Sequence, residues 1–421
     1  PDAERVVVTG WGAVTPLGGD VESTFTAMAD GRSGIARVTR VDPTGLFCEI
    51  AGDVVADGVW PIDAPAEAGG SAYRLARRAL DEALSGGLLD DLTHRHRIGV
   101  VLGGHGHTPN EREIAQMVPA LDESGRPSAA ALAELTDYDT TAFTRRQPDV
   151  VSALIALDAD ARGPTAAIVS ACAAGTQAVG EGLRLIRDGR CDVVITGGAE
   201  PILSYSGYLG FSILGALTRR YPAPEKASRP FDRRRNGFVI AEGAGVLVLE
   251  SLAHAKERGR KPLGEILGYG DSADAYLITA MHPKGQGAVQ AMRRAIQDAG
   301  LEPDHVDYVN AHGTSTPIND PTETMAAKEV FGERAYDVPM SSNKSMIGHT
   351  IGAAGAIEAI LTMRGMQAGL LLPTINQEAP DRKCDLDYVP NEAREMTHTV
   401  ALSNSFGFGG QNGCLCLGAA P

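Results

Sequence analysis

The sequence predicts an α/β protein assembled from β-α-β units, and three observations carry that prediction. Runs rich in Val, Ile and Leu recur at residues 5–9, 98–102, 165–169, 193–196 and 246–250, separated by longer stretches with helical patterning. Hydrophobic residues fill 43% of the 421 positions while aromatics fill 5%, and 50 residues are glycine, so the core must be packed tightly from Ala, Gly and Val. Finally, the chain echoes itself. A strand, a small-residue turn at Cys172, a small-residue helix and the strand at 193–196 resemble residues 340–342, the turn at His349, another small-residue helix and residues 370–373.

Taken in order, the runs at 5–9 and 98–102 read as strands, and alternation with helices makes their neighbours parallel. The stretch from Thr108 to Pro148 is richer in polar and charged residues and reads as a cap inserted at about 104–150, helical around 129–135. Residues 165–169 form a strand that ends in the turn Ser170-Ala171-Cys172-Ala173-Ala174, and 177–186 is helix-like. The strands at 193–196 and 246–250 complete a first half, 1–250. The second half, 251–421, follows near Ser251 without a Pro/Ser-rich linker, so the two should move as one rigid body.

The turn around Cys172 looks like a nucleophile elbow. A thiol placed there meets the positive end of the following helix, where the macrodipole favours thiolate. A buried, inert cysteine in Ala/Gly-rich sequence fits this segment equally well, and the rest of the chain breaks the tie. Residues 306–316 read as a short strand delivering His312 into the hydroxylic turn Gly313-Thr314-Ser315-Thr316. Residues 341–355 place Lys344 five positions before His349, with a Gly/Ala-rich helix start behind. One cysteine and two histidines on separate strand-to-turn junctions is the pattern of a fold that gathers distant loops around a nucleophile.

These three segments, in this order, resemble the active-site motifs of β-ketoacyl synthases, the condensing enzymes of fatty-acid and polyketide synthesis. The resemblance spans the chain: Arg5-Val6-Val7-Val8-Thr9-Gly10-Trp11-Gly12 at the start, Ala227-Ser228-Arg229-Pro230-Phe231-Asp232 with Gly237-Phe238 in the middle, and Asn404-Ser405-Phe406-Gly407-Phe408-Gly409-Gly410 near the end. Because the second basic residue is His349, it is similar to the elongating Cys-His-His type and not to the Cys-His-Asn initiating type. The resemblance implies a thiolase-like fold, two pseudo-symmetric α/β halves in a layered α-β-α-β-α core.

It also implies roles. Cys172 would accept the acyl group, the backbone N–H groups of Cys172 and Phe408 would form the oxyanion hole, and His312 and His349, as neutral imidazoles donating through Nε2, would stabilise the enolate formed from a malonyl thioester. Lys344 would orient the site through a carboxylate such as Glu358, with Asp320 or Glu323 tying down the His312 loop. Phe408 between Gly407, Gly409 and Gly410 resembles the family's gate, and Thr314, Thr316 and Thr279 could bind the amides of a pantetheine arm. Family members commonly carry an apolar residue near Gly106 that narrows the acyl pocket. Glycine there implies a wider or deeper pocket and a bulky, polyunsaturated or partly polar chain. His105-x-His107 lacks a third ligand and reads as a solvated loop, so no metal and no redox cofactor are expected; substrates would arrive on the phosphopantetheine arm of an acyl carrier protein.

A net charge of −15 argues against nucleic acid as a partner. Docking of an acidic carrier protein then needs a local basic patch within a Debye length of roughly 8 Å. Candidates are Arg145 with Arg146, Arg219 with Arg220, and Arg74 with Arg77 and Arg78; a basic segment that family members often carry is replaced by residues 62–67, Ile-Asp-Ala-Pro-Ala-Glu. No apolar run approaches the roughly 18 residues needed to cross a bilayer, and no signal pattern opens the chain, so a cytoplasmic enzyme without a membrane partner is expected. The cysteines show no paired spacing; five of the six, Cys414 and Cys416 on one strand face among them, read as core. The family implies a homodimer, or a heterodimer with a chain-length partner. The alternative from another class is that the chain is itself the noncatalytic chain-length subunit, although such subunits typically lack the nucleophile. Thiolase-type cleavage and thioester hydrolysis fit the two-histidine set less well.

Overall fold

A computed structural model describes residues 4–39, 41–55, 70–105, 111–134 and 147–421 of the chain. Its centre is one ten-stranded sheet. The first half contributes β1 (Val6–Val14), β2 (Ile98–Gly103), β3 (Thr165–Ile168), β4 (Val193–Glu200) and β5 (Gly243–Ser251). The second contributes β6 (Gly264–Ala273), β7 (Tyr308–Asn310), β8 (Met340–Ser341), β9 (Val400–Gly407) and β10 (Gln411–Gly418).

The spatial order is β3-β2-β4-β5-β1-β6-β10-β9-β7-β8. Read outward from the β1–β6 junction, where Val6 faces Ile266 and Val8 faces Gly264, the first, fifth, fourth, second and third strands of each half follow in turn. The internal echo in the sequence is therefore a two-fold repeat of topology. Within each half the third, second and fourth strands are parallel, as the alternation with helices predicts. The first and fifth run antiparallel, so the sheet is mixed.

Five helices set the layers: α1 (Gly70–Ala83), α2 (Ala174–Arg187), α3 (Gln286–Asp298), α4 (Asn319–Phe331) and α5 (Ala354–Ala368). Successive residues of β5 separate them, since side chains alternate across a strand. Leu247 and Leu249 join Val179 and Leu183 of α2 and Ile360 and Met363 of α5 in the central core, whereas Val246 and Val248 face Leu75 and Leu80 of α1. In the second half, Leu402 and Cys416 pack against α3 and α4 through Met292, Ile296 and Ala327. The helix pair α2/α5 is thus covered by sheet on both sides, and the outer helices complete the α-β-α-β-α layering. Enclosure between the sheets explains why nearly all of α5 is buried, with Arg364 and Gln367 reaching the surface near its end.

The starts of α2 and α5 carry the same tripeptide, Ala173-Ala174-Gly175 and Ala353-Ala354-Gly355. Each follows a 3-10 turn, and in each turn one residue is forced to positive φ, Ala171 at 49° and Ile351 at 43°. The two starts touch: a Cβ on Gly175 would lie 2.8 Å from the carbonyl oxygen of Gly352, so glycine permits the approach.

One part of the expected echo is corrected. Residues 370–373 are not the counterpart of the strand at 193–196, because Leu370–Leu371 pairs with Arg394–Glu395 in a separate two-stranded ladder. The topological counterpart of β4 is β9. In the predicted cap, Glu111–Met117 and Ala129–Glu134 are helical, while Thr108 and residues 135–146 lie outside the described residues. Among the described residues no helix is long and apolar enough to cross a membrane, and all six cysteines are free and buried.

Candidate active site

Cys172 sits in the 3-10 turn Ala171–Ala173, between β3 and the start of α2. His349 occupies the turn before α5, on the matching end of the pseudo-symmetric half, so the contact of the two helix starts brings them together. His349 Nε2 lies 3.0 Å from Cys172 Sγ. His312, two residues beyond β7, completes the group. Its ring packs edge-on against that of His349 with centroids 5.4 Å apart, and the ligand-type atoms of the three side chains all lie within 4.8 Å of one another. All three residues are buried. They form the floor of an open cavity of about 450 Å³ whose walls include Phe238, Thr279, Thr314, Thr316, Ile318 and Phe408.

The tautomer of His349 follows from its surroundings. The backbone N–H of Ile351 donates to Nδ1 at 3.2 Å, which places the proton of a neutral imidazole on Nε2, pointed at the sulfur. Burial pushes both histidines well below their ordinary range, and the positive charge of Lys344 lowers them further. Both are neutral donors at pH 7. Three such ligand atoms could suggest a metal centre, but the Nε2 atom that would bind the ion already carries the proton fixed by Ile351.

The thiolate expected at a helix N-terminus is corrected. Burial pushes the Cys172 thiol up to about 12, against the downward pull of Lys344 and of the Phe408 and Cys172 backbone N–H groups. Desolvation outweighs the dipole because the sulfur has almost no contact with water. Burial therefore favours the thiol form of Cys172 over the thiolate.

The supporting residues divide their work. Lys344 pairs with Glu358 of α5 at 2.5 Å, both fully buried. Burial raises Glu358 to about 7 despite the ammonium beside it. Glu323 of α4 accepts from the backbone N–H groups of His312 and Gly313, each at 2.8 Å, and therefore holds the His312 loop. Asp320, one turn earlier, accepts from Phe231 N–H at 2.8 Å and lies 3.8 Å from Arg235, so it braces the neighbouring segment instead.

Gly407 packs against the nucleophile. A Cβ there would stand 3.0 Å from Ser170 O and 3.1 Å from Cys172 N, so a side chain would press on the backbone that brings the Phe408 N–H to the Cys172 sulfur. Gly409 and Gly410 have φ of 81° and 71°. Gly409 N–H donates to Ile278 O at 2.6 Å and Gly410 O accepts from Asp274 N–H at 2.8 Å, which ties the Phe408 loop to the Thr279 segment. Thr314 and Thr316 share a hydroxyl contact of 3.0 Å on the cavity wall.

The basic candidates separate. Arg219 and Arg220 are exposed and, with Arg229 and Arg234, line a bowl of about 630 Å³ that adjoins the cavity at Asn236. Arg74 is half-buried on α1, and Arg77 is engaged by Asp81 and Asp158 at 2.7 and 2.9 Å. Gly106, His107, Arg145, Arg146 and residues 62–67 lie outside the described residues. His105 is not the solvated loop residue expected, since its Nδ1 lies 2.7 Å from the fully buried Glu200, which holds its pKa up.

Sequence reasoning left several contributors without a role. Phe238 stands edge-on to His349 at 5.2 Å and Phe406 to His312 at 5.7 Å. Asn404 donates to Glu323 at 3.1 Å. The signal for two of them was alternation: 404 and 406 share one face of β9, inside a motif read for its glycines.

Residues 3–255 match the family model described as Beta-ketoacyl synthase, N-terminal domain, and residues 263–378 match the Beta-ketoacyl synthase, C-terminal domain. Among curated relatives, the 3-oxoacyl-[acyl-carrier-protein] synthase 2 of Coxiella burnetii (strain RSA 493 / Nine Mile phase I) is 40% identical, covering 99% of both chains. That of Synechocystis sp. (strain ATCC 27184 / PCC 6803 / Kazusa) is 40% identical over 98% of this chain and 97% of its own. Among solved structures, a Beta-ketoacyl synthase from Burkholderia phymatum STM815 superposes with a TM-score of 0.88 at 34% identity, covering 99% of this chain and 100% of that one. A type II polyketide synthase (PKS) ketosynthase, bound to the hexaketide and in complex with its acyl-carrier protein, gives 0.87 at 31%, covering 99% of each chain. The ishigamide ketosynthase/chain length factor gives 0.86 at 34%, again over 99% of each.

Proposed function

Because the chain belongs to the β-ketoacyl synthase family, we propose that Cys172, His312 and His349 carry out the two half-reactions of a decarboxylative Claisen condensation. The enzyme is an acyltransferase. It joins an enzyme-bound acyl group to malonyl-acyl carrier protein, giving 3-oxoacyl-acyl carrier protein and CO2, in fatty-acid or type II polyketide biosynthesis. The observation that carries the assignment to these residues is the convergence of Sγ and two neutral imidazoles within 4.8 Å on the floor of a cavity open to solvent.

In the first half-reaction Cys172 Sγ attacks the carbonyl carbon of an acyl thioester. The oxygen takes up negative charge facing the Cys172 and Phe408 backbone N–H groups, which are already in place and need no reorganisation. The C–S bond to the carrier breaks, and the thiol proton of Cys172 ends on the departing pantetheine sulfur. In the second, the malonyl thioester oxygen sits against the Nε2–H groups of His312 and His349. The C–C bond to the carboxylate breaks, CO2 leaves, and the electron pair becomes an enolate that two uncharged donors stabilise. The enolate carbon attacks the acyl-Cys172 carbonyl, the C–Sγ bond breaks, and the released sulfur takes one proton from solvent. Lys344, held by Glu358, places a positive charge near the three side chains without entering a bond change. No metal or redox group is needed at any step, and the Nε2 proton of His349 supports that reading.

Thr279, Thr314 and Thr316 offer hydroxyls along the path that a pantetheine arm would follow. The bowl beside that path offers the exposed Arg219 and Arg220 to an acidic acyl carrier protein, whereas Arg229 and Arg234 on its wall are already paired with Glu378. Strand β3 ends the sheet with Thr165 and Ala166 exposed, and Val169 (51%) and Leu157 (76%) stand open nearby. An unpaired, partly apolar edge favours a subunit partner, either a second copy or a chain-length subunit. The chain is read as a cytoplasmic enzyme.

Incubating the parent and Cys172→Ala with acyl- and malonyl-acyl carrier protein tests the reading through 3-oxoacyl product and released CO2. The parent should form both and the variant no 3-oxoacyl product. A parent that forms neither, with or without a chain-length partner, would instead fit a noncatalytic subunit.

A further inference from the structure

In the second half, three buried polar atoms have no protein hydrogen-bond partner and belong to residues that line one small cavity. They are Asn310 Oδ1, Asn343 Nδ2 and Thr362 Oγ1, on residues that are 1%, 1% and 4% exposed. All three residues line a cavity of about 10 Å³, whose walls also include Tyr308, Leu361, Gly365, Leu371 and His398. That is close to the roughly 10–15 Å³ that one water needs, and a buried water typically makes about three hydrogen bonds. Buried polar groups in folded proteins are satisfied by protein or by ordered water, and here a donor, an acceptor and a hydroxyl belong to the lining of one water-sized space.

We propose that this cavity is a built water site, and that the water positions the two histidines. The water accepts from Asn343 Nδ2, donates to Asn310 Oδ1 and shares its third bond with Thr362 Oγ1. Each partner belongs to a different element of the site. Asn310 ends β7 two residues before His312. Asn343 immediately precedes Lys344 and stands six residues before His349. Thr362 lies one turn beyond Glu358 on α5. Asn310 Nδ2 already donates to Asn343 Oδ1 at 2.5 Å, so the water closes a ring that sets the spacing of the two histidine-bearing segments against α5. Asn310, Asn343 and Thr362 are therefore positioning residues. The oxyanion hole, built from Cys172 and Phe408, lies outside this ring.

The proposal rests on the condensing-enzyme reading for its kinetic part and not for its structural part, and the test separates the two. A crystal structure at a resolution that shows ordered water should place one peak within hydrogen-bonding distance of all three atoms. A dry cavity, or a rotated Asn310–Asn343 pair that satisfies itself, would overturn the site. In kinetics, Thr362→Val should lower malonyl decarboxylation by about tenfold to a hundredfold while leaving the rate of Cys172 acylation within about twofold, and Thr362→Ser should restore decarboxylation. Equal losses in both half-reactions, or no rescue by serine, would show a packing role only. Failure of the parent in both half-reactions would count against the condensing-enzyme reading and leave the crystallographic result standing.

Discussion

Replacing Lys344 by Met removes the one ammonium beside a carboxyl that is completely buried, and the structure fixes how the cost should depend on pH. In the parent, burial raises Glu358 to about 7 even with Lys344 2.5 Å away. Without the ammonium its pKa must rise further, because only desolvation remains. A folded-state pKa above the unfolded value means that the native state binds the proton more tightly, so stability falls as pH rises through that window. Below about pH 7 the carboxyl is largely neutral in both proteins, and the variant should lose only the hydrogen bond, about 1 kcal/mol. Above about pH 7 the parent has finished titrating but the variant has not, and the gap should widen by about 1.4 kcal/mol per pH unit. Between about pH 7 and about pH 8.5 that amounts to about 2 kcal/mol. Urea denaturation of both proteins at about pH 6, 7 and 8.5 measures it. A gap that stays constant or narrows with rising pH would refute the reasoning, since Glu358 would then be ionised at no cost in the variant.

His312→Ala and His349→Ala should each lower malonyl decarboxylation by about 10²–10³-fold, the scale for removing one preorganised donor, as followed by CO2 release. Gly407→Ala forces a Cβ to within 3.0 Å of Ser170 O and 3.1 Å of Cys172 N. It should slow acylation of Cys172 by tenfold or more, on the order expected for a displaced oxyanion donor, with decarboxylation less affected; stopped acylation by mass spectrometry checks it. Because burial and Lys344 hold both histidines well below their usual range, decarboxylation should be flat from about pH 8 down to about pH 6. The same depression has a stability consequence. The unfolded histidines take up protons near pH 6.5 and the folded ones do not, so their contribution to stability is lost as pH drops below that value, opposite in sign to that of Glu358; His312→Ala and His349→Ala should each flatten that acid-side loss in urea denaturation.

Much of the site was legible because Cys172, His312 and His349 each stand where a strand gives way to a turn, a local pattern that survives without knowledge of the tertiary structure. The pairing of Lys344 with Glu358 was also legible, since the turn and helix between them leave few other buried carboxylates in reach. The choice between Asp320 and Glu323 was not. They are one turn apart on α4, and which of them meets the His312 backbone depends on how that helix is rotated against β9. The protonation state of Cys172 was misjudged because a helix terminus can be read from sequence, whereas the desolvation that overrides it is a property of packing. The counterpart of β4 expected at 370–373 was misplaced for a similar reason: Leu370–Leu371 does form a strand, but the place beside β7 and β10 is taken by β9, a longer run further on. His105 could not be paired in advance, because Glu200 reaches it from a neighbouring strand 95 residues away.

The most direct test of the central claim is intact mass spectrometry of the parent and of Cys172→Ala after exposure to acyl carrier proteins loaded with short saturated through polyunsaturated chains. A mass gain equal to the acyl group on the parent, mapped to Cys172 and absent from the variant, is the predicted result. An acyl group found on another residue, or equally on the variant, would contradict the assignment of Cys172 as the nucleophile.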